Sequence, residues 1–216
     1  MTDPEGHPAS LWRRLAGSLG EDYADTYADR FDAMAARGED VHGEAGLVAG
    51  MLATGSRVLD AGCGTGRVGR RLHELGYLVV GVDADDRMVD VARRRSPGPR
   101  WEVADLAELD LGESFDLVVM AGNIVPFLPT GRLTAAVQRL ASHLVDGGAV
   151  VCGYGLDVDH VPKGVPLVPL DDYDAACESA GLHLEDRFDG WDGAAYTAAG
   201  YAVSVHRRTD STVTAS

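Results

Sequence analysis

The segment Val58-Leu-Asp-Ala-Gly-Cys-Gly-Thr-Gly66 constrains what this chain can fold into more than any other. Arg57–Ala61 reads as a short buried strand, and a helical pattern runs from Thr65 to Leu75. Between them Gly62, Gly64 and Gly66 let the backbone approach a ligand closely. The start of the helix that follows offers N–H groups to an anion.

Beyond this loop the pattern alternates. Strands are expected over Leu78–Asp83, Arg100–Ala104, Phe115–Met120 and Ala149–Gly153, with helices over Asp85–Arg95 and Arg132–Leu144. A further helix is expected over Asp171–Ala180, and the last two strands over Leu182–Phe188 and Tyr201–Arg207. Such alternation predicts an α/β fold, a doubly wound parallel sheet covered on both faces. The final two strands are joined by only about a dozen residues, too few for a right-handed crossover. The last strand is therefore expected to run antiparallel.

Ahead of the sheet, Leu11, Trp12, Leu15, Tyr23, Tyr27, Phe31 and Met34 recur at helical spacing. They predict two helices parted near Gly17–Gly20, and a third helix runs from Glu44 to Ala53. The expected division is a helical cap over residues 1–43, one domain over 44–208 and a polar, disordered tail over 209–216.

The formal net charge of −15 disfavours nucleic acid and anionic membranes as partners. No run approaches the roughly 18 apolar residues of a membrane span. Met1–Ser10 carries no secretory pattern, and Cys63, Cys152 and Cys177 have neither disulfide-framework nor zinc spacing. The chain is expected in the cytoplasm, as a monomer or homodimer acting on a small molecule.

Three acidic residues follow three strands: Asp60, Asp83 and Asp105. All lie at the carboxyl edge, where open α/β sheets bind ligands. A carboxylate at Asp83 can accept both hydrogen bonds of a ribose diol. The dinucleotide fingerprint GxGxxG would need glycine at position 67, where Arg67 stands, so a nicotinamide dehydrogenase is disfavoured.

The GxGxG spacing preceded by Asp60 resembles the class I S-adenosylmethionine-dependent methyltransferases, and the likeness extends over residues 44–207. It implies a Rossmann-like seven-stranded sheet of order 3-2-1-4-5-7-6 with S-adenosyl-L-methionine as cofactor. The implied contacts are Asp60, Gly62, Cys63, Gly64, Thr65, Gly66 and Arg67 around the loop, and Asp83 with Ala84 at the ribose. Asp105 and Leu106 are implied at the adenine, and Ala121 beyond the fourth strand. Cys63 contributes backbone in this motif and is read as a small packed residue rather than a nucleophile. Gly-Glu-Asp-Val-His-Gly-Glu-Ala, Ala-Gly-Asn-Ile-Val-Pro-Phe-Leu and Tyr-Ala-Val-Ser-Val-His-Arg-Arg also look like segments of small actinobacterial methyltransferases, whose acceptors vary.

Catalytic candidates are sorted by edge. The helix over Glu44–Ala53 begins near the carboxyl edge, which brings Glu39, Asp40, His42 and Glu44 toward the cofactor. His160 follows the fifth strand to the same edge, whereas His143 ends a helix at the amino edge. His183 and His206 fall in strands and read as structural. Asn123 either orients an acceptor oxygen or shapes its turn, and Pro126 with Phe127 forms an apolar wall. Trp191 either stacks on an acceptor ring or packs in the core. His42 and His160 as bases favour O-methylation of a small hydroxylated metabolite such as a saccharide. The alternatives are N-methylation of a small amine and a non-catalytic cofactor-binding protein. A magnesium ion held by Asn123 with Asp157 or Asp159 is not favoured, because no tight ligand cluster is visible.

Overall fold

A computed structural model describes residues 11–16 and 20–209. Two helices, α1 (Leu11–Ala16) and α2 (Tyr23–Ala36), precede α3 (Gly43–Met51). The sheet then builds through β1 (Arg57–Ala61), α4 (Arg67–Glu74), β2 (Leu78–Asp83), α5 (Asp86–Arg95), β3 (Arg100–Val103) and β4 (Phe115–Met120). It continues with α6 (Ile124–Phe127), α7 (Leu133–Ser142), β5 (Leu144–Gly155), α8 (Leu170–Ser179), β6 (Leu182–Phe188) and β7 (Tyr201–Arg208). The expected glycine and serine separation at 17–19, the tail over 210–216 and the segment 1–10 lie outside the described residues.

The strands form one seven-stranded sheet of order β3-β2-β1-β4-β5-β7-β6, as the family resemblance implies. β7 is antiparallel to both β5 and β6, and the other strand pairs are parallel. Alternate residues of the central strands serve the two faces. Leu59, Val80, Val118 and Val150 pack with Val137 and Leu140 of α7 and Tyr173 of α8. Val58, Val79, Leu117 and Val151 pack with Val48 of α3 and Val68 and Leu72 of α4. Burial on both faces explains why these strands read as continuous apolar runs rather than as alternating ones.

Two elements depart from the sequence reading. β5 begins at Leu144, not Ala149: Phe115 pairs with Leu144, and the register then slips so that Leu117 pairs with Ala149. Gly147 and Gly148, between the expected helix and strand, sit inside this irregularity, with Gly147 at φ +74°. The segment after β4, read as an open loop, contains the single turn α6.

The strand order puts the ends of β1, β2, β3, β4 and β5 along one edge. At the opposite edge the Tyr77 hydroxyl donates to the carbonyls of Ala49 and Leu52, satisfying the end of α3. The start of α3 therefore lies on the carboxyl side. Among the described residues no helix is long and apolar enough to cross a membrane.

Candidate active site

A cavity of about 360 Å³ opens at the carboxyl edge, between the ends of β1, β2 and β4 and the helices α1 and α2. Its floor is the glycine loop. Gly62 has φ +79°, and a Cβ there would stand 2.3 Å from Ile124 Cδ1, so a larger residue would strain the backbone and force Ile124 aside. Gly64 has φ +51°, and a Cβ there would meet nothing within 4 Å. That space, kept clear by the absence of a side chain, belongs to the cavity.

Each acidic residue is held by backbone donors. Asp83 accepts the Gly64 N–H at 2.8 Å through one oxygen and the Asp85 N–H at 2.9 Å through the other. Asp105 accepts the Ala107 N–H at 2.8 Å. Asp60 lies beneath the loop and accepts the Gly69 N–H at 2.8 Å from the first turn of α4. It is 2% exposed, and burial pushes its carboxyl up to about 7, with the Gly69 hydrogen bond and the Arg67 charge opposing.

Of the cofactor contacts expected from the sequence, Asp60, Gly62, Cys63, Gly64, Thr65, Arg67, Asp83, Ala84, Asp105, Leu106 and Ala121 all line the cavity. Gly66 does not. It packs behind the loop, where a Cβ would come within 2.8 Å of the Trp101 ring. Cys63 is buried with Val89, Ala92 and Trp101, and burial raises its thiol well above the usual range, so it is no nucleophile at neutral pH.

Arg67 is tied down. Its guanidinium pairs with both oxygens of Glu44, one contact measuring 2.7 Å, and donates to the Val41 carbonyl. The Phe31 ring lies over it, 4.6 Å from centroid to Cζ. Of the four polar residues at the start of α3, Glu44 thus reaches the site, through Arg67.

The catalytic candidates fare differently. His42 does not line the cavity. It precedes α3, its Nδ1 is buried without a hydrogen-bond partner among the described residues, and its pKa is lowered by burial first and then by Arg71, Arg67 and Arg70 of α4. His160 does not line it either: its ring is held 2.7 Å from Asp157 Oδ1 on an exposed loop. Asn123 does line it, yet both ends of its amide are engaged. Oδ1 accepts the Gly155 N–H at 2.6 Å and Nδ2 donates to the His160 carbonyl at 3.1 Å. With φ +65° this residue shapes the turn and ties the β4 loop to the end of β5. Trp191 covers Gly153, where a Cβ would stand 2.4 Å from its ring, and donates to the Tyr201 hydroxyl at 3.1 Å. It packs in the core. Among the described residues no group of three or more histidine, cysteine or acidic side chains is gathered to hold a metal ion.

The cavity also has a wall that sequence reasoning did not assign to the site. Trp12 of α1 and Tyr27, Arg30 and Phe31 of α2 line it, opposite the glycine loop. The signal was present in the four-residue spacing of Tyr23, Tyr27 and Phe31. That spacing gives one helix face but does not say what the face covers.

A cofactor bearing a sugar diol, an aromatic amine and an amino-acid end matches this donor set. Carboxylates stand at two strand ends, and Gly64 leaves clear space above the loop. The profile of a methyltransferase domain matches residues 58–148. The chain belongs to the class I S-adenosylmethionine-dependent methyltransferases. It is similar to a TehB-like S-adenosylmethionine-dependent methyltransferase from Corynebacterium glutamicum, at 34% identity and a TM-score of 0.77 over 87% of this chain and 98% of that one. It is also 33% identical over 135 residues to dTDP-4-amino-2,3,4,6-tetradeoxy-D-glucose N,N-dimethyltransferase of Saccharopolyspora spinosa, covering 60% of this chain and 54% of that protein. The dTDP-3-amino-3,4,6-trideoxy-alpha-D-glucopyranose N,N-dimethyltransferase of Streptomyces venezuelae is 35% identical over 136 residues, covering 60% and 56%. The chain thus spans little more than half the length of these two relatives.

Proposed function

We propose that the protein methylates the nitrogen of a small-molecule amine, with amino-sugar nucleotides as the first acceptors to test. The sequence reading placed a hydroxyl acceptor first. The make-up of the acceptor wall and the relatives both favour nitrogen.

The observation that carries the choice is that, among the described residues, that wall holds no proton acceptor. It is formed by Trp12, Tyr27, Arg30, Phe31, Asn123, Phe127 and Leu128. The Arg30 guanidinium offers hydrogen-bond donors and no acceptor, burial raises the Tyr27 phenol, and Asn123 is committed to Gly155 and His160. An aliphatic hydroxyl needs a base as it is methylated, whereas a neutral amine brings its own lone pair. Asp60, Asp83 and Asp105 belong to the strand-end wall that serves the cofactor.

S-adenosylmethionine supplies a methyl group on a sulfonium with a good leaving group. The chain's own task is alignment and exclusion of water. Asp83 and Asp105 would hold the nucleoside, the glycine loop the amino-acid end, and the aromatic cap closes the remaining side.

The test is a matched pair of acceptors: a dTDP-4-amino-4,6-dideoxyhexose and its 4-hydroxy counterpart, each with methyl-labelled cofactor. The reading expects label on the amine and none on the alcohol. Label on the alcohol alone restores the O-methyl reading.

A further inference from the structure

Asp85 follows the cofactor-facing Asp83 by two residues, and nothing in the sequence motif gives it a role. In the structure it is 4% exposed and stands where α1, α2 and α5 meet. Its Oδ1 accepts the Arg87 N–H at 3.0 Å, capping α5. Its Oδ2 accepts two donors from the cap: Trp12 Nε1 at 2.8 Å and the Tyr23 hydroxyl. Its own N–H donates to Asp83 Oδ1 at 2.9 Å. One buried carboxylate thus joins both cap helices to the strand end that carries Asp83.

What these donors hold in place is the cavity wall. The Trp12 ring meets Tyr27 and Phe127 edge-on, at centroid distances of 6.2 and 5.6 Å. Tyr27 meets Phe31 at 5.2 Å, and Phe31 lies over Arg67. The aromatic row is fastened at one end by Asp85 and at the other by the Arg67–Glu44 pair. Beside these hydrogen bonds, α2 and α5 share a buried apolar cluster of Ala24, Ala28, Met88 and Val91 and exposed ion pairs, Arg94 with Asp25 and Arg95 with Asp29 and Asp32. Exposed pairs of that kind contribute little and are screened by salt. The apolar cluster holds the helices against each other, and the buried hydrogen bonds to Asp85 fix where the Trp12 and Tyr23 rings stand.

We propose that Asp85 is a positioning residue, a latch that holds the aromatic cap shut over the cofactor cavity and in register with Asp83. The proposal rests on the cofactor reading of the cavity and is independent of the acceptor. Tyr23→Phe leaves the Asp85 carboxylate capping α5 and so separates the latch from the helix cap, whereas asparagine at position 85 cannot serve both. Its single amide oxygen can cap α5 or accept the ring donors, and its NH2 group faces donors where Oδ2 faced them.

The experiment measures two quantities for wild type, Asp85→Asn, Tyr23→Phe and the double variant. The first is hydrogen exchange of α2 amides in protein without ligand. The second is the dissociation rate of S-adenosylhomocysteine by stopped flow. Loss of a charge-assisted hydrogen bond predicts release about tenfold faster in Asp85→Asn, with faster exchange over residues 23–36 and unchanged exchange in β1 and β4. Tyr23→Phe shows a smaller increase, and adding it to Asp85→Asn changes nothing further, because both remove the same contact. Wild-type release and exchange in Asp85→Asn with an intact sheet overturns the latch, as does full additivity of the two changes. If Asp85→Asn does not fold, Tyr23→Phe and Trp12→Phe decide: release at the wild-type rate from both overturns the latch. A wild-type protein that binds no S-adenosylhomocysteine overturns the cofactor reading as well.

Discussion

The Asp83 carboxylate accepts the backbone N–H of Gly64 at 2.8 Å, so the end of β2 and the glycine loop after β1 fix each other. Two residues 19 positions apart in the chain become one wall of the cavity because β1 and β2 are parallel neighbours. Preorganisation of this kind leaves little to rearrange when a ligand arrives.

Asp60 predicts a pH-dependent stability. Its folded pKa is raised from the ordinary 3.8 to about 7, so between those values the folded chain binds a proton that the unfolded chain has released. Its stability contribution is present below pH 4 and is lost as pH rises toward 7. Asp60→Asn keeps an oxygen for Gly69 and has no charge to bury. The stability of Asp60→Asn relative to wild type should rise with pH across that window, by up to about 1.4 kcal/mol per unit, and level off above it. Urea midpoints at pH 5 and pH 8 measure this, and a difference independent of pH would contradict it.

His143 supplies a second prediction. It is 5% exposed, its Nε2 accepts the Leu111 N–H at 2.9 Å, and its Nδ1 lies 2.7 Å from the Arg139 carbonyl. Nδ1 therefore carries the proton and donates. His143→Ala removes an acceptor for a backbone N–H and should cost about 1–3 kcal/mol of stability. Turnover of the folded fraction should stay within about threefold of wild type, because the residue lies at the amino edge. Unfolding curves beside single-temperature kinetics separate the two effects.

The two histidines first considered as bases give a third. Neither His42 nor His160 lines the cavity, and burial lowers the His42 pKa. His42→Gln and His160→Gln should each turn over an amine acceptor within about threefold of wild type, far from the 10²–10⁴-fold loss expected for a base. A loss of that size in either, with cofactor affinity unchanged, would put a base back into the mechanism.

How much of this was legible beforehand depended on whether a feature was local. The glycine spacing, the strand-end aspartates and the short link before β7 are local patterns; they carried the cofactor wall and the antiparallel last strand, while the sheet order came from the family resemblance. The edge argument put His143 at the amino edge, where its hydrogen bonds place it. For His42 the same argument failed at finer scale. It put the start of α3 on the carboxyl side, but side-chain direction decides which residue faces the cavity, and there Glu44 reaches in through Arg67. Asn123 could not be settled because its role rests on Gly155 and His160, more than 30 residues away. The aromatic wall was hidden for the same reason: Trp12 and Tyr23 meet Asp85 across 73 and 62 positions.

The most direct test of the account is calorimetric titration of S-adenosylmethionine into wild-type protein and Asp83→Ala. The account predicts one site on the wild type and an affinity at least about tenfold weaker in the variant, since a carboxylate that accepts charge-assisted hydrogen bonds is lost. The fold of the variant is checked by circular dichroism. Equal affinities in two folded proteins, or no binding to the wild type, would contradict it.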